Sequence, residues 1–412
     1  MSDNPRVSVC IASYNHARYL PDSIESVLNQ TYTDFEVVIV DDGSTDGSLA
    51  LAETYAARYP DRVRVFTHPN HSNRGISETV NLAYLKSRGE FWSGVPSDDA
   101  LCPNKLEKQV AFLDSHPEVG WVYSYCEVTD ESLHPMPGTQ LFGKDITREA
   151  HPLHLQIQRN LIPGMSVLMR RSCTERVGLH EPGLVYSDWE FWLRMLVLCR
   201  PGFIAHPLVR YRVHSSNTSG DQVERDENLR RGIEVMKSIR AKAPTIGGEL
   251  ATPRSLALIE LQLTYYCFCL GDEEEAQRRL SAAFHADPTL GGDGKFFTSW
   301  LRERLFESYH GSPANSRESG FIFWVARNLP QSVGRGLRRR ALAAAWANEA
   351  LGERDAGPHD VWQPALKCII RDPTWLADGS LRLMLLNGLF GPEIVNRIRR
   401  VKGADRWPNL NA

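Results

Sequence analysis

The 412-residue chain is 42% apolar and 24% charged, and its 47 Lys and Arg against 50 Asp and Glu leave a net charge of −3. This is the profile of a soluble globular protein with room for two or three domains, and a balance so near neutrality excludes whole-protein attraction to nucleic acid, leaving any polyanion site to be local. No run approaches the roughly 18 apolar residues that span a bilayer, the apolar run after MSDNPR is too short for a secretory leader, and the eight cysteines form no CxxC pair, so a reducing cytoplasm is the expected compartment.

From Val7 to about Tyr211, short β-rich runs alternate with helical patterns. Strands are predicted over 7–12, 36–40, 63–66, 91–95, 119–124 and 165–169, each rich in β-branched or aromatic residues and bounded by turn formers. Between them Leu20, Ile24, Val27 and Leu28 form one helical stripe, Ile76, Val80, Ala83 and Tyr84 a second, and Leu106, Val110 and Leu113 a third. Continuous apolar strands alternating with helices predict an α/β fold with a largely parallel sheet covered on both faces, and such sheets bind ligands beyond the carboxyl ends of their strands.

The strand signal stops after His214, at the polar connection SSNTSGDQVERDE, which predicts an α/β domain over 1–215 and a helical region over 216–412. In the second region Leu270-Gly271-Asp272 precedes Asp287-Pro288-Thr289, and Leu351-Gly352-Glu353 precedes Asp372-Pro373-Thr374. Each copy reads as a helix pair, over about 255–310 and 338–391, ended by the Leu-Gly turn and by Asp-Pro. The pairs resemble tetratricopeptide-type hairpins; a coincidental repeat in an ordinary helical cap is the alternative. The stretch from Phe321 to Ala345 holds Arg327, Arg335, Arg338, Arg339 and Arg340, no acidic residue, and several aromatics. It suits either an anionic membrane surface or a solvated face beside a core helix.

Chemistry is expected at three strand ends and one helix start. The first strand runs into Ala12-Ser13-Tyr14-Asn15 and the second into Asp41-Asp42-Gly43-Ser44. A tyrosine face stacks on a planar base and a carboxylate accepts from a base N–H or a ribose hydroxyl, so the two loops can hold a nucleoside, although Asp, Gly and Ser also make plain turns. The fourth strand runs into Pro96-Ser97-Asp98-Asp99, where adjacent carboxylates are relieved by a divalent cation, Mg²⁺ or Mn²⁺, bridging to a diphosphate; a turn cap is the simpler reading. Asp188 opens a helix carrying Trp189, Trp192, Leu193 and Leu196 on one stripe, where a capping carboxylate is common. Arg212 and His214 add a cation and an imidazole as the domain ends.

Taken in order, VSVCIASYNHARYL with EVVIVDDGSTDGS, then NRGISETVNLAYLKSRGEFWSGVPSDDALCPNKLEKQV, then VGLHEPGLVYSDWEFWLRM resemble the successive signature blocks of family-two glycosyltransferases with the GT-A fold, over roughly residues 5 to 215. The resemblance implies a nucleotide-sugar donor, UDP- or dTDP-linked, a divalent metal, and inversion at the anomeric carbon. It also implies a glycan or lipid-linked acceptor in surface polysaccharide assembly, in the cytoplasm or on the inner face of the plasma membrane. Carried over by position, it puts Ala12, Tyr14 and Asp42 at the base with Ser13, Asn15 and Asp41 beside them, and Arg74 near the diphosphate. Asp98 and Asp99 fall in the metal motif, His214 at the metal or diphosphate, and Asp188 at the catalytic base. Two positions depart from the pattern: Pro96 stands where many members have Asp, and Ser187 where many have Glu. A nucleotidyltransferase would carry a Gly- and Arg-rich loop where this chain has ASYNHARYL; a non-catalytic carbohydrate-binding scaffold on a decayed transferase fold is the other alternative, prompted by Pro96.

Overall fold

The computed structural model describes residues 4–136, 153–215, 217, 225–292, 296–297, 300–301, 316–331, 333–352, 366–368 and 370–371. Its contacts divide the chain into two units, Met1–Ile259 and Glu260–Ala412.

The first unit is built on one eight-stranded sheet: β1 (Val7–Ser13), β2 (Phe35–Asp41), β3 (Val63–Thr67), β4 (Phe91–Pro96), β5 (Ala100–Leu101), β6 (Trp121–Thr129), β7 (Leu168–Arg170) and β8 (Pro201–Arg212). Their order is β3-β2-β1-β4-β7-β6-β8-β5. The pairs β1–β2, β1–β4, β2–β3 and β6–β8 are parallel, while β7 runs antiparallel to both its neighbours and β5 antiparallel to β8. Seven-residue β2 is buried along its whole length, as a strand covered on both faces must be. Val7, Val9 and Ile11 of β1 pack with Leu20, Ile24 and Val27 of α1 (Leu20–Leu28), Ala52 of α2 (Ser48–Arg58), and Leu106, Val110 and Leu113 of α4 (Lys105–Ser115). Alternate residues point the other way: the Cys10 thiol lies 3.6 Å from the Ala83 carbonyl of α3 (Ile76–Lys86). Further along come α5 (Leu153–Gln158), α6 (Arg171–Val177), α7 (Ser187–Leu198), α8 (Arg225–Ile246) and α9 (Pro253–Cys269), the last crossing the division between the units.

The expected strands are all present except at one end: over 165–169 the chain first makes a 3₁₀ turn, Gly164–Ser166, and the strand is Leu168–Arg170. Two strands lie outside the expectation. β5 is only two residues long. β8 is long but carries Pro201, Gly202 and Pro207, and its register against β6 shifts around Ser124 and Tyr125; proline and glycine break the alternation that marks a strand in sequence.

In the second unit, Gly271 takes φ +87° where α9 ends, and Asp272 caps α10 (Glu273–Ala286) by accepting from the Glu275 N–H at 3.0 Å. Asp287 then accepts from Thr289 N at 2.9 Å as a 3₁₀ turn begins. The first expected repeat is thus a helix, a Leu-Gly turn and a helix; Asp372, Pro373 and Thr374 of the second lie outside the described residues. Phe268, Phe321 and Trp324 cluster between α9 and α11 (Ser316–Asn328), with Trp300 5.9 Å from Phe321. Phe321, Ile322, Val325 and Leu329 are buried, while Phe323 and Trp324 are partly exposed. At α12 (Arg335–Gly352), Arg338 is spent on the Leu329 and Pro330 carbonyls at 3.0 and 2.6 Å. Among the described residues no helix is long and apolar enough to cross a membrane.

Gly89 sits where the chain enters β4, its N–H donating to Ser8 Oγ at 2.8 Å. A β-carbon there would lie 2.6 Å from the Ser8 nitrogen and 2.9 Å from the Phe91 carbonyl oxygen. Both obstacles are backbone, so β1 and β4 must part. Gly89→Ala is expected to cost about 1–3 kcal/mol, read as a lowered denaturant midpoint; an unchanged midpoint would show that the strand junction yields freely.

Candidate active site

The β1 and β2 ends meet at the carboxyl edge, where Ser13 pairs with Asp41 and Ala12 with Pro96. The two loops that follow are stitched together. Asn15, at φ +51°, holds the left-handed conformation that asparagine tolerates, receives Thr45 N on Oδ1 at 2.8 Å, and donates its own N–H to Ser44 Oγ at 2.9 Å. His16 N donates to Ser48 Oγ at 3.1 Å and Ala17 N to Asp46 Oδ2 at 2.8 Å. The DDGSTDGS octet is therefore a turn and, at the same time, the frame of the β1 loop. Tyr14 projects from this frame with 47% of its surface exposed, free to offer a face to a planar ring.

Asp41 and Asp42 divide the work. Asp41 Oδ1 accepts from Ser44 N and lies 2.9 Å from His71 Nε2, whereas Oδ2 is buried with no hydrogen-bond partner, as is Ser13 Oγ beside it. Such orphans mark capacity for a further polar contact. Asp42 accepts Arg74 N at 2.7 Å and Gly75 N at 2.9 Å, which fixes the start of α3. The Arg74 side chain is left exposed on that segment.

The β4 end separates the two carboxylates expected at a cation. Asp98 Oδ2 lies 3.1 Å from His214 Nε2 and 4.0 Å from His16 Nδ1, and the donor atoms of His16, Asp98 and His214 all fall within 4.8 Å of one another. Two imidazoles and a carboxylate at this spacing fit a divalent cation. Asp99 is turned inward, 1% exposed, where its Oδ1 accepts the Arg212 N–H at 2.9 Å. Burial, and then the neighbouring Asp98 charge, push its carboxyl well above the ordinary range. It lies outside the cluster because the chain turns after β4, with Asp99 N–H donating to the Pro96 carbonyl at 3.3 Å.

Arg212 holds this corner. Its guanidinium, 2% exposed, donates to the Asp98 carbonyl at 2.7 Å, to Asp22 Oδ2 of α1 at 2.7 Å and to the Glu131 carbonyl, and stacks over Tyr19 with 4.8 Å to the ring centre. Tyr19 in turn lies 4.6 Å from the His214 ring.

Asp188 stands at the N-terminus of α7. Its Oδ2 accepts Asn160 Nδ2 at 2.9 Å and its Oδ1 the Trp189 N–H at 2.7 Å. Gln156 Nε2 donates to Asn160 Oδ1 at 3.0 Å, so the amide is oriented with its nitrogen toward Asp188, and Trp189 Nε1 donates to the Gln156 carbonyl. Burial lifts the Asp188 carboxyl above its usual range, against the lowering effect of the Asn160 and Trp189 donors. The loop before α7 is tied to α3 through Ser77 Oγ to the Leu184 carbonyl at 2.6 Å and Asn81 Nδ2 to the His180 carbonyl at 2.9 Å.

Three of these residues escaped the sequence reading. His16 sits inside the ASYNHARYL run, where the only signal was its closeness to Tyr14; Asn160 and Gln156 precede an expected strand and carry none.

The family model described as glycosyl transferase family 2 matches residues 8–178. A Rickettsia typhi protein described as an uncharacterized glycosyltransferase is 30% identical over 240 residues, covering 56% of this chain and 72% of its own. Among solved structures, a mannosyltransferase from Pyrobaculum calidifontis in complex with GDP-Man and Mn²⁺ is similar with a TM-score of 0.49 at 19% identity, covering 79% of this chain and 88% of that one. S. aureus TarS 1-349 in complex with UDP-GlcNAc has the same TM-score, 0.49, at 16% identity over 89% and 92% of the two chains. The family match and the Rickettsia typhi relative show that the chain, with its α/β unit, belongs to glycosyltransferase family 2.

Proposed function

We propose that this chain transfers a hexose from a UDP- or dTDP-linked donor to a hydroxyl of a glycan or lipid-linked acceptor, with inversion, in surface polysaccharide assembly. The observation that carries the reading is Asp188: a carboxylate at a helix start, lifted in basicity by burial yet held in one orientation by Asn160. A general base needs both properties. Asp188 takes the proton of the attacking acceptor hydroxyl and forms no covalent bond to the sugar. Tyr14 supplies a stacking face for the base, and the stitched Asn15 and Asp42 loops keep the nucleoside side in place. Asp98 and His214 would hold a Mg²⁺ or Mn²⁺ ion, which supplies charge stabilisation to a departing diphosphate. Asp99 supports that corner through the Arg212 backbone.

Asp188→Asn keeps shape and removes basicity. Transfer is expected to fall by about 10²- to 10⁴-fold with donor affinity kept, measured by nucleoside diphosphate release and by donor titration. A variant retaining more than about a tenth of the rate would overturn the assignment.

Asn160→Leu removes a donor that stabilises the ionised form of Asp188, so the carboxyl moves further upward. The base acts only when deprotonated; the acid limb of the pH–rate profile therefore shifts to higher pH. An unmoved limb would mean that Asp188 is not the group titrating.

The two β4 carboxylates are expected to part in mutation. Asp98→Asn should abolish the Mn²⁺-dependent gain in UDP affinity. Asp99→Asn still offers an oxygen to Arg212 N and should keep it. Equal losses in titrations with and without Mn²⁺ would return Asp99 to the cation.

A further inference from the structure

We propose that His16 is a third protein ligand of the cation, making a two-histidine, one-carboxylate centre that loads a first-row transition ion such as Mn²⁺ before any nucleotide binds and prefers it to Mg²⁺. This rests on the cation site proposed above and goes beyond it in naming the ligand, the ion class and the order of binding.

Three chain segments converge on the site: the loop after β1 brings His16, the β4 end Asp98, and the residues after β8 His214. The backbone fixes each. Asn15 turns the chain in the left-handed region and Ser48 Oγ anchors His16 N, Arg212 holds the Asp98 carbonyl, and Asn217 Oδ1 accepts from His214 N at 2.6 Å. The His16 and His214 rings stand edge to face with centres 5.7 Å apart, both beside Tyr19. His16 Nδ1 faces Ser97 Oγ at 2.8 Å, a hydroxyl that can turn its proton away. Metal–ligand bonds of about 2.1 Å set cis ligands roughly 3 Å apart and trans ligands roughly 4.2 Å apart. The distances of 3.1 and 4.0 Å from Asp98 Oδ2 fall in that range. With 20% of its side chain exposed, His16 has room to close the remainder.

The donor set decides the ion. Mg²⁺ wants an octahedron of oxygens, keeps several waters, and usually sits on one or two carboxylates plus substrate phosphates. Imidazole nitrogen favours later first-row ions, whose affinities rise from Mn²⁺ through Co²⁺. Two imidazoles therefore bias against Mg²⁺, and three ligands from the protein let a cation bind without phosphate oxygens.

The experiment titrates Mn²⁺ into the full chain without nucleotide, following free Mn²⁺ by electron paramagnetic resonance, then repeats it with Mg²⁺ as competitor and with UDP present. The wild type is expected to bind one Mn²⁺ unaided, with at least tenfold preference over Mg²⁺. His16→Phe keeps the ring beside Tyr19 and should weaken this binding at least tenfold; His16→Asn, smaller and polar, provides the same comparison if the phenyl ring disturbs the fold, checked by thermal melting without metal. Unaided binding that both variants leave unchanged overturns the proposal, as does a site that fills only when UDP is added; in the latter case the Asp98 cation site and the transferase reading stand. Failure to bind Mn²⁺ with or without UDP removes the cation site as well, while the Asp188 tests remain separate.

Discussion

The site depends on a buried arginine. Placing a guanidinium 2% exposed inside a protein is costly unless its donors are answered, and the acceptors that Arg212 finds among the described residues define the corner: two main-chain carbonyls and the Asp22 carboxylate. The requirement to satisfy this one side chain thus brings the end of β8, the turn after β4 and the first helix to fixed separations. His214 follows two residues later, and its position is a consequence of the arginine's. Replacing the charge with an apolar group would strand the carbonyls rather than merely lose a salt bridge.

A second line of constraint joins the loop after β2 to the start of α7. The Asp42 carboxylate grips the N–H groups of Arg74 and Gly75 just before α3; α3 grips the loop before α7 through Ser77 and Asn81; Asp188 is the second residue of α7. Helices transmit position with little give because their backbone is internally bonded, so a carboxylate at a strand end and one at a helix start are set relative to each other through a single rigid element.

Much of this was legible in the sequence. Apolar runs such as EVVIV read as strands covered on both faces, the ordered motif blocks marked Asp98 and Asp188 as candidates, and the position after the last strand marked His214. What was not legible depends on distance along the chain. His16 meets Asp98 across 82 positions, and Asn160 meets Asp188 across 28; neither has a local pattern, because one contact between remote side chains leaves no periodicity. The split between Asp98 and Asp99 is made by the turn after β4, which two identical letters cannot record. β8 hid behind its own prolines and its shifted register.

Helix α8 follows the last strand yet lies in the first unit. Its Lys242 donates to the fully buried Glu190 of α7 at 2.9 Å, where Arg194 also pairs with that carboxylate, and its Asn228 bonds the Tyr186 hydroxyl just before Asp188. Val235, Met236 and Ile239 of the same helix are wholly buried. A lineage that exchanged catalytic pieces between genes by recombination could not cut at the end of the sheet. The inheritable piece is longer than the sheet, because the helix bearing Asp188 wears α8 as its outer wall.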